Sequence, residues 1–360
     1  MDKYNTFQST ITIEQRQDNR SLRYKRLNAS AKIASKYTGH SVQYCMSRIK
    51  GGKVALIRNK ENGHAYYEGL ITCGSVWDCP VCSAKISARR AEELSIGINN
   101  WVKDGGKILM VTYTIRHDLG DHLKELSKVV TDAIRFVHSG RGYQELKREY
   151  KLVGTTSFTE LKYGVNGWHF HKHQLLFVKS DLELSKMYNY LSSRYERYIN
   201  DCGYSIVEGV GVDLRETTND VGTSDYMTKW GLIEEVTGGE FKSGSLTPFG
   251  LLDSPEYEKV FIEYSKAMKG KKRITYSKGL RSILGLVEVE KSDEELASES
   301  EAIEENKEYI KLIPSADWKI IIKMDLRAKL LELAEYPYLD FDKEYENLVG
   351  KHRYKDKTVM

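Results

Sequence analysis

VGTTSFTELKYGVNGWHFHKHQLLFV, residues 153–178, is the stretch from which the fold is read. Two runs rich in β-branched and aromatic residues, 153–163 and 168–178, flank the turn Gly164-Val165-Asn166-Gly167. Runs of this kind joined by a short Val-Asn-Gly link form a hairpin of antiparallel strands. Residues two apart on a strand share a face. His171 and His173 therefore project together, with His169 two residues earlier. Across the hairpin, Glu160 is the acidic candidate for a third ligand. Two imidazoles and a carboxylate suit a divalent metal and leave positions open for water or a phosphate oxygen. The bland alternative is a pair of half-exposed imidazoles. The apolar run Leu175-Leu176-Phe177 follows directly and sets the histidines near one end of a buried strand, where substrate can arrive.

Outward from the hairpin, GGKILMVTYTIRH (105–117) reads as another buried strand. Leu119, Leu123, Leu126, Val129, Val130, Ala133 and Val137 recur at helical spacing over 119–138, and Leu182, Leu184, Met187, Leu191, Tyr195 and Ile199 do so over 181–200. The order strand, helix, strand, strand, helix predicts an α+β domain, with an antiparallel sheet and helices on one face. Six segments are expected: a basic, loosely structured extension 1–40; a Cys-rich module with a helix from about Cys82 to Trp101, 41–100; the main domain 101–250; a basic helical segment 251–290; an acidic linker or exposed helix 291–310; and a small helical tail 311–360. No internal repeat is present.

Charge is divided unevenly along the 360 residues. Residues 288–308 carry ten acids and two bases, a net of −8. Setting that aside from the formal +4 leaves +12 on the rest. Residues 1–37 hold eight bases against three acids, and 263–281 seven against one. A basic body with a separate acidic segment fits a partner that is a polyanion, although an ordinary excess of surface lysine gives the same totals. No apolar run approaches the ~18 residues of a membrane span, and residues 1–26 contain no signal-type apolar stretch. A cytoplasmic protein without a membrane partner is expected. In a reducing compartment, Cys73, Cys79 and Cys82 within CGSVWDCPVC suggest tetrahedral structural Zn²⁺ rather than disulfides. Cys45 is the first candidate for the fourth ligand and His64 the second; a reduced cluster or a redox pair is the alternative. Cys202, with no near partner in sequence, is expected to be a buried small apolar residue.

Six blocks in order carry a family resemblance over roughly residues 41–290: LITCGSVWDCPVCSAKI, MVTYTIRH, ELKYGVNGWHFHKHQLLF, YMTKWG, LTPFGLL and EYSKAMKGKKRITYSKGLRS. The chain resembles the replication initiator proteins of rolling-circle plasmids, within the His-hydrophobe-His endonuclease superfamily. The resemblance implies metal ligands at His171 and His173, with Glu160 where the third is expected, and ranks His169 below them. The residue between the pair is hydrophobic in the family and is Lys172 here. YMTKWG implies a tyrosine nucleophile at Tyr226 and an accompanying Lys229. On a helix these two would lie three apart on one face, against the plain reading of a packed aromatic and a solvated lysine. Some relatives carry a water-activating glutamate four residues before the tyrosine. Gly222 stands there in this chain, with Asp220 and Asp225 the nearest acids, and that role is unassigned.

The implied activity is site-specific nicking and rejoining of single-stranded origin DNA through a 5′-phosphotyrosine, leaving a 3′-OH primer, with Mg²⁺ or Mn²⁺ as cofactor. Lys269, Lys271, Lys272 and Arg273 with Tyr276 combine cations and an aromatic ring, as single-strand grooves do; a basic helix end is the alternative. No G-x-x-x-x-G-K-[ST] loop occurs, so a host helicase, along with a host polymerase, is an expected partner. Homo-oligomerisation stays open. Competing readings are a relaxase or transposase with the same chemistry, a non-enzymatic zinc-containing DNA-binding regulator, and a small-molecule metalloenzyme.

Overall fold

A computed structural model describes residues 13–180, 183–207, 209–217 and 244–353. In chain order it contains α1 (Ile13–Ile33), β1 (Val54–Asn59), β2 (Ala65–Glu68), α2 (Pro80–Lys103), β3 (Lys107–Thr114), α3 (Leu123–Val137), α4 (Gly140–Glu149), β4 (Gly154–Gly164), β5 (Gly167–Val178) and α5 (Leu184–Asp201). Then come β6 (Val212–Glu216), α6 (Glu258–Met268), β7 (Ile274–Tyr276), α7 (Leu280–Ile283), α8 (Asp293–Ser298), β8 (Lys307–Ile313), α9 (Ser315–Lys323) and α10 (Arg327–Ala334). Contacts divide the chain into two units, residues 87–290 and residues 1–86 with 291–360.

The 87–290 unit is built on a five-stranded sheet of order β6-β3-β5-β4-β7, antiparallel throughout. The expected hairpin is its centre. Gly164 pairs with Gly167, which leaves Val165 and Asn166 as a two-residue turn. Gly167 has φ +85°, and a Cβ there would sit 3.1 Å from both Asp118 O and Leu119 Cα, so the position needs glycine. Helices α3 and α5 pack together and cover the face that carries Tyr113, whose ring meets Tyr195 of α5 at 5.0 Å. The antiparallel sheet with helices expected from the sequence is therefore present, and the opposite face adds to it. There, Ala91, Leu94, Ile98 and Trp101 of α2 close over Ile108, Phe158, Leu175, Phe177 and Ile274. Each such large side chain stabilises the fold by roughly 1.5–3 kcal/mol. The part of this face nearer the hairpin turn carries Glu160, His171 and His173 instead.

The other unit holds a three-stranded antiparallel sheet, β2-β1-β8. Trp318 of α9 sets its ring edge-on to Tyr67 at 5.0 Å and donates to Ser47 O. Four findings differ from the sequence reading. Residues 13–33, expected to be loosely structured, form α1, anchored by buried Tyr24 and Leu27. The acidic stretch forms the helix that was one of its two expected forms, α8, with a Ser292–Glu295 capping box, but it then runs into an unexpected strand, β8, where Arg58 makes a paired contact with Glu308. Leu119 is exposed because it lies in the Asp118–Asp121 turn, which delays α3 to Leu123. Cys202 is exposed, not buried: α5 ends at Asp201, so its apolar stripe stops at Ile199. Among the described residues no helix is long and apolar enough to cross a membrane.

Candidate metal centre

Strand register brings Glu160, His171 and His173 together. Glu160 pairs with His171 across the hairpin, while His173 lies between Phe158 of β4 and Thr112 of β3. The ligand atoms of the three side chains lie within 4.8 Å of one another. Glu160 Oε2 is 2.9 Å from His173 Nε2 and 3.9 Å from His171 Nδ1. The two rings stand 6.2 Å apart at 63°. His173 is buried, with Phe158 stacked on it at 5.1 Å and the Thr112 hydroxyl 3.0 Å from its Nδ1. With Nδ1 occupied by the hydroxyl, Nε2 is the nitrogen directed at the carboxylate. His171 is the open member, its side chain 35% exposed.

The electrostatics leave the set ready to bind a cation. Burial works to raise the Glu160 carboxyl, but hydrogen bonds from His173 and Lys162, with the Lys162 charge, outweigh it and hold the group down at about 2. Burial, with His173, Lys162 and His169 adding and Glu160 opposing, pushes His171 down to about 4. An ionised carboxylate and a neutral imidazole are the protonation states that ligate. Two nitrogens and one oxygen fit a divalent ion with positions left over. His169 shares the face but pairs elsewhere: its ring meets His117 at 4.4 Å, with the Nδ1 and Nε2 atoms 3.3 Å apart, and His117 Nδ1 donates to Asn166 O. His117, at the end of MVTYTIRH, and Lys162 carried no role in the sequence reading. Lys172 points to the helix-covered face and donates to Thr159 Oγ1, and burial there, with Lys271 nearby, pushes its ammonium down to about 8.

A second cluster lies in the other unit. Cys45, Cys73, Cys79 and Cys82 converge, with Sγ separations of 3.5 Å for Cys45–Cys82, 3.6 Å for Cys45–Cys79 and 3.8 Å for Cys73–Cys82. Cys45 completes the four; His64 instead contacts Arg16. Cys45, Cys79 and Cys82 are buried, and Cys82 N–H donates to Cys79 Sγ. Hydrogen bonds from the other three thiols hold Cys82 well below the usual thiol range. Asp78, between the cysteines, is fixed by His40 Nδ1 and Ser75 Oγ, each at 3.0 Å. Four convergent thiols with no open position can hold a metal in a closed, tetrahedral site.

The basic segment is more engaged than its sequence suggests. Lys271 donates to Ser127 Oγ at 2.7 Å, and Lys272 lies 2.7 Å from Glu290. Arg273 is buried, and the Arg281 guanidinium lies over the Tyr276 ring at 5.1 Å. Lys269, Lys271 and Lys272 are the exposed members. Tyr226 and Lys229, with Asp220, Gly222 and Asp225, lie outside the described residues. Leu246 bridges to Tyr163, next to Lys162.

An antiparallel sheet bearing a carboxylate and two imidazoles, in a chain that also gathers four thiols, defines a protein with two candidate metal centres. Residues 70–325 match the family described as "Replication protein", and the chain belongs to that family. It is 25% identical over 295 residues to "Protein rep" of Streptomyces lividans, covering 61% of this chain and 64% of that one. It is 30% identical over 141 residues to "Neomycin resistance protein" of Streptomyces cyanogenus, covering 32% of each. The chain thus spans less than two thirds of the length of these relatives. No solved structure matches it. The resemblance to replication initiator proteins carried by the six sequence blocks is borne out.

Proposed function

We propose that this chain initiates rolling-circle replication by nicking and rejoining one strand of origin DNA. The observation that carries the reading is the convergence of Glu160, His171 and His173 on one sheet face of a replication-family chain. The donor set and its protonation states fit a divalent ion, Mn²⁺ better than Mg²⁺ because two of the three donors are imidazoles. Such an ion, when bound, supplies Lewis-acid stabilisation of charge on a phosphate oxygen. Thr112 and Phe158 fix the buried imidazole, and half-buried His171 leaves the approach open to a phosphodiester.

The Tyr226 hydroxyl oxygen forms a bond to phosphorus while the bond to the 3′ oxygen breaks. The strand is held as a 5′-phosphotyrosine, and the 3′-OH is released as a primer. Lys229 favours the phenolate. Rejoining reverses these steps. Lys269, Lys271 and Lys272 contact the DNA backbone, and half-buried Tyr276 is the aromatic residue that follows them in the chain. The four cysteines hold structural Zn²⁺. Unwinding and synthesis come from host helicase and polymerase, in the cytoplasm.

The test is a covalent adduct on end-labelled single-stranded origin DNA with Mn²⁺, digested to peptides and sequenced by mass. A nucleotide on the Tyr226 peptide is expected. Origin binding with no adduct on any candidate origin would favour the non-enzymatic regulator. Linkage to another tyrosine would reassign the nucleophile.

A further inference from the structure

Glu160 uses its two oxygens differently. Oε2 faces His173 Nε2 and His171 Nδ1, while Oε1 lies 2.6 Å from Lys162 Nζ. Lys162 is two residues further along β4, on the same face, and registers with His169 of β5. The Lys162 and Glu160 side chains are only 27% and 18% exposed, so solvent screens the pair incompletely. We propose that Lys162 is a positioning residue of the metal centre: it leaves one oxygen of Glu160 for the metal and biases the site from tight metal retention toward capture of a phosphate oxyanion. This inference rests on the metal reading of Glu160, His171 and His173.

The charge count sets the direction. One carboxylate, two neutral imidazoles and a divalent cation sum to +1, and the Lys162 ammonium makes the site +2. A carboxylate with one oxygen held by an ammonium cannot close on a metal with both oxygens, and it has less charge to offer. Both effects lower metal affinity. The same ammonium is a charge-assisted donor for a phosphodiester arriving at the open side. A lysine that merely braced Glu160 would act in the opposite sense, because its loss would loosen the ligand and weaken the metal. The sign of the change therefore separates positioning toward phosphate from bracing.

The experiment is a Mn²⁺ titration of the full chain, followed by titration of the Mn²⁺-loaded protein with a dinucleotide phosphodiester. Wild type is compared with Lys162→Met and Lys162→Arg, with Glu160→Ala and His173→Ala as site controls. Removing a like charge a few ångströms from a partly shielded cation should make Lys162→Met bind Mn²⁺ about tenfold more tightly. Losing the charged donor should weaken its dinucleotide affinity about tenfold. Lys162→Arg should stay near wild type in both. Equal or weaker Mn²⁺ binding by Lys162→Met would overturn the proposal, as would unchanged dinucleotide affinity. Wild-type Mn²⁺ binding that survives Glu160→Ala and His173→Ala would instead refute the metal reading beneath it.

Discussion

The Thr112 hydroxyl on β3 lies 3.0 Å from Nδ1 of His173 on β5, and this contact settles which ring nitrogen faces Glu160. Thr112→Val keeps the shape and removes the partner. An unsatisfied buried group costs about 1–3 kcal/mol, and loss of an outer contact to a ligating histidine lowers metal affinity about 10–100-fold. Mn²⁺ titration should show that loss, and Thr112→Ser should recover most of it. Unchanged affinity in Thr112→Val would mean that packing against Phe158 alone orients the ring.

The four-thiol cluster has a separate signature. Wild-type protein should carry one zinc per chain by metal analysis, and Cys79→Ser should carry none. Cys79 is fully buried and central to the cluster, so the variant should also unfold at lower denaturant. Cys202→Ser, at the exposed end of α5, should change neither property. Equal zinc in wild type and Cys79→Ser would remove the structural-zinc assignment.

Stability should fall on mild acidification, in part through His138. Burial, with Lys147 nearby, pushes this imidazole down to about 4, and it stacks on Tyr143 at 4.6 Å. The unfolded chain takes up a proton near pH 6.5, and the folded one only near 4. Between those values the unfolded state binds more protons, so stability declines as pH drops through that window. Urea midpoints at pH 7 and pH 5 should differ more for wild type than for His138→Phe, which keeps the ring contact without the titration. Identical pH dependence would show that His138 does not contribute.

The hairpin turn can be probed at Gly167. Its left-handed φ and the tight 3.1 Å approach of Asp118 O both disfavour a side chain. Gly167→Ala should cost about 1–2 kcal/mol from the backbone conformation alone, with more from the clash. A midpoint equal to wild type would mean that the turn relaxes freely.

Much of this site was legible because its determinants are local. The Val165-Asn166 turn sets the register, and that register puts Glu160 opposite His171. Cys73, Cys79 and Cys82 announced themselves by spacing, and Cys45 was the nearest cysteine to complete them. Thr112 and Lys162 were not legible as site residues, because their roles follow from pairing with His173 and Glu160. Helix α1 was missed because its buried stripe includes Arg20 and Ser30 beside Tyr24 and Leu27, which hides the apolar period. Strand β8 was hidden in a charge run whose members pair across the sheet, Glu308 with Arg58 and Lys307 with Glu68. The basic segment misled in the other direction: Arg273 reads as a surface cation and is buried.

The most direct test of the metal centre's role in strand transfer is adduct yield on single-stranded origin DNA in Mn²⁺, for wild type and His173→Ala, with DNA binding measured in the same samples. Binding close to wild type with the adduct reduced by at least a hundredfold is the expected result, in line with the loss of a transition-state charge stabiliser worth about 3–4 kcal/mol. Full adduct formation by a folded His173→Ala protein would contradict the role assigned to Glu160, His171 and His173.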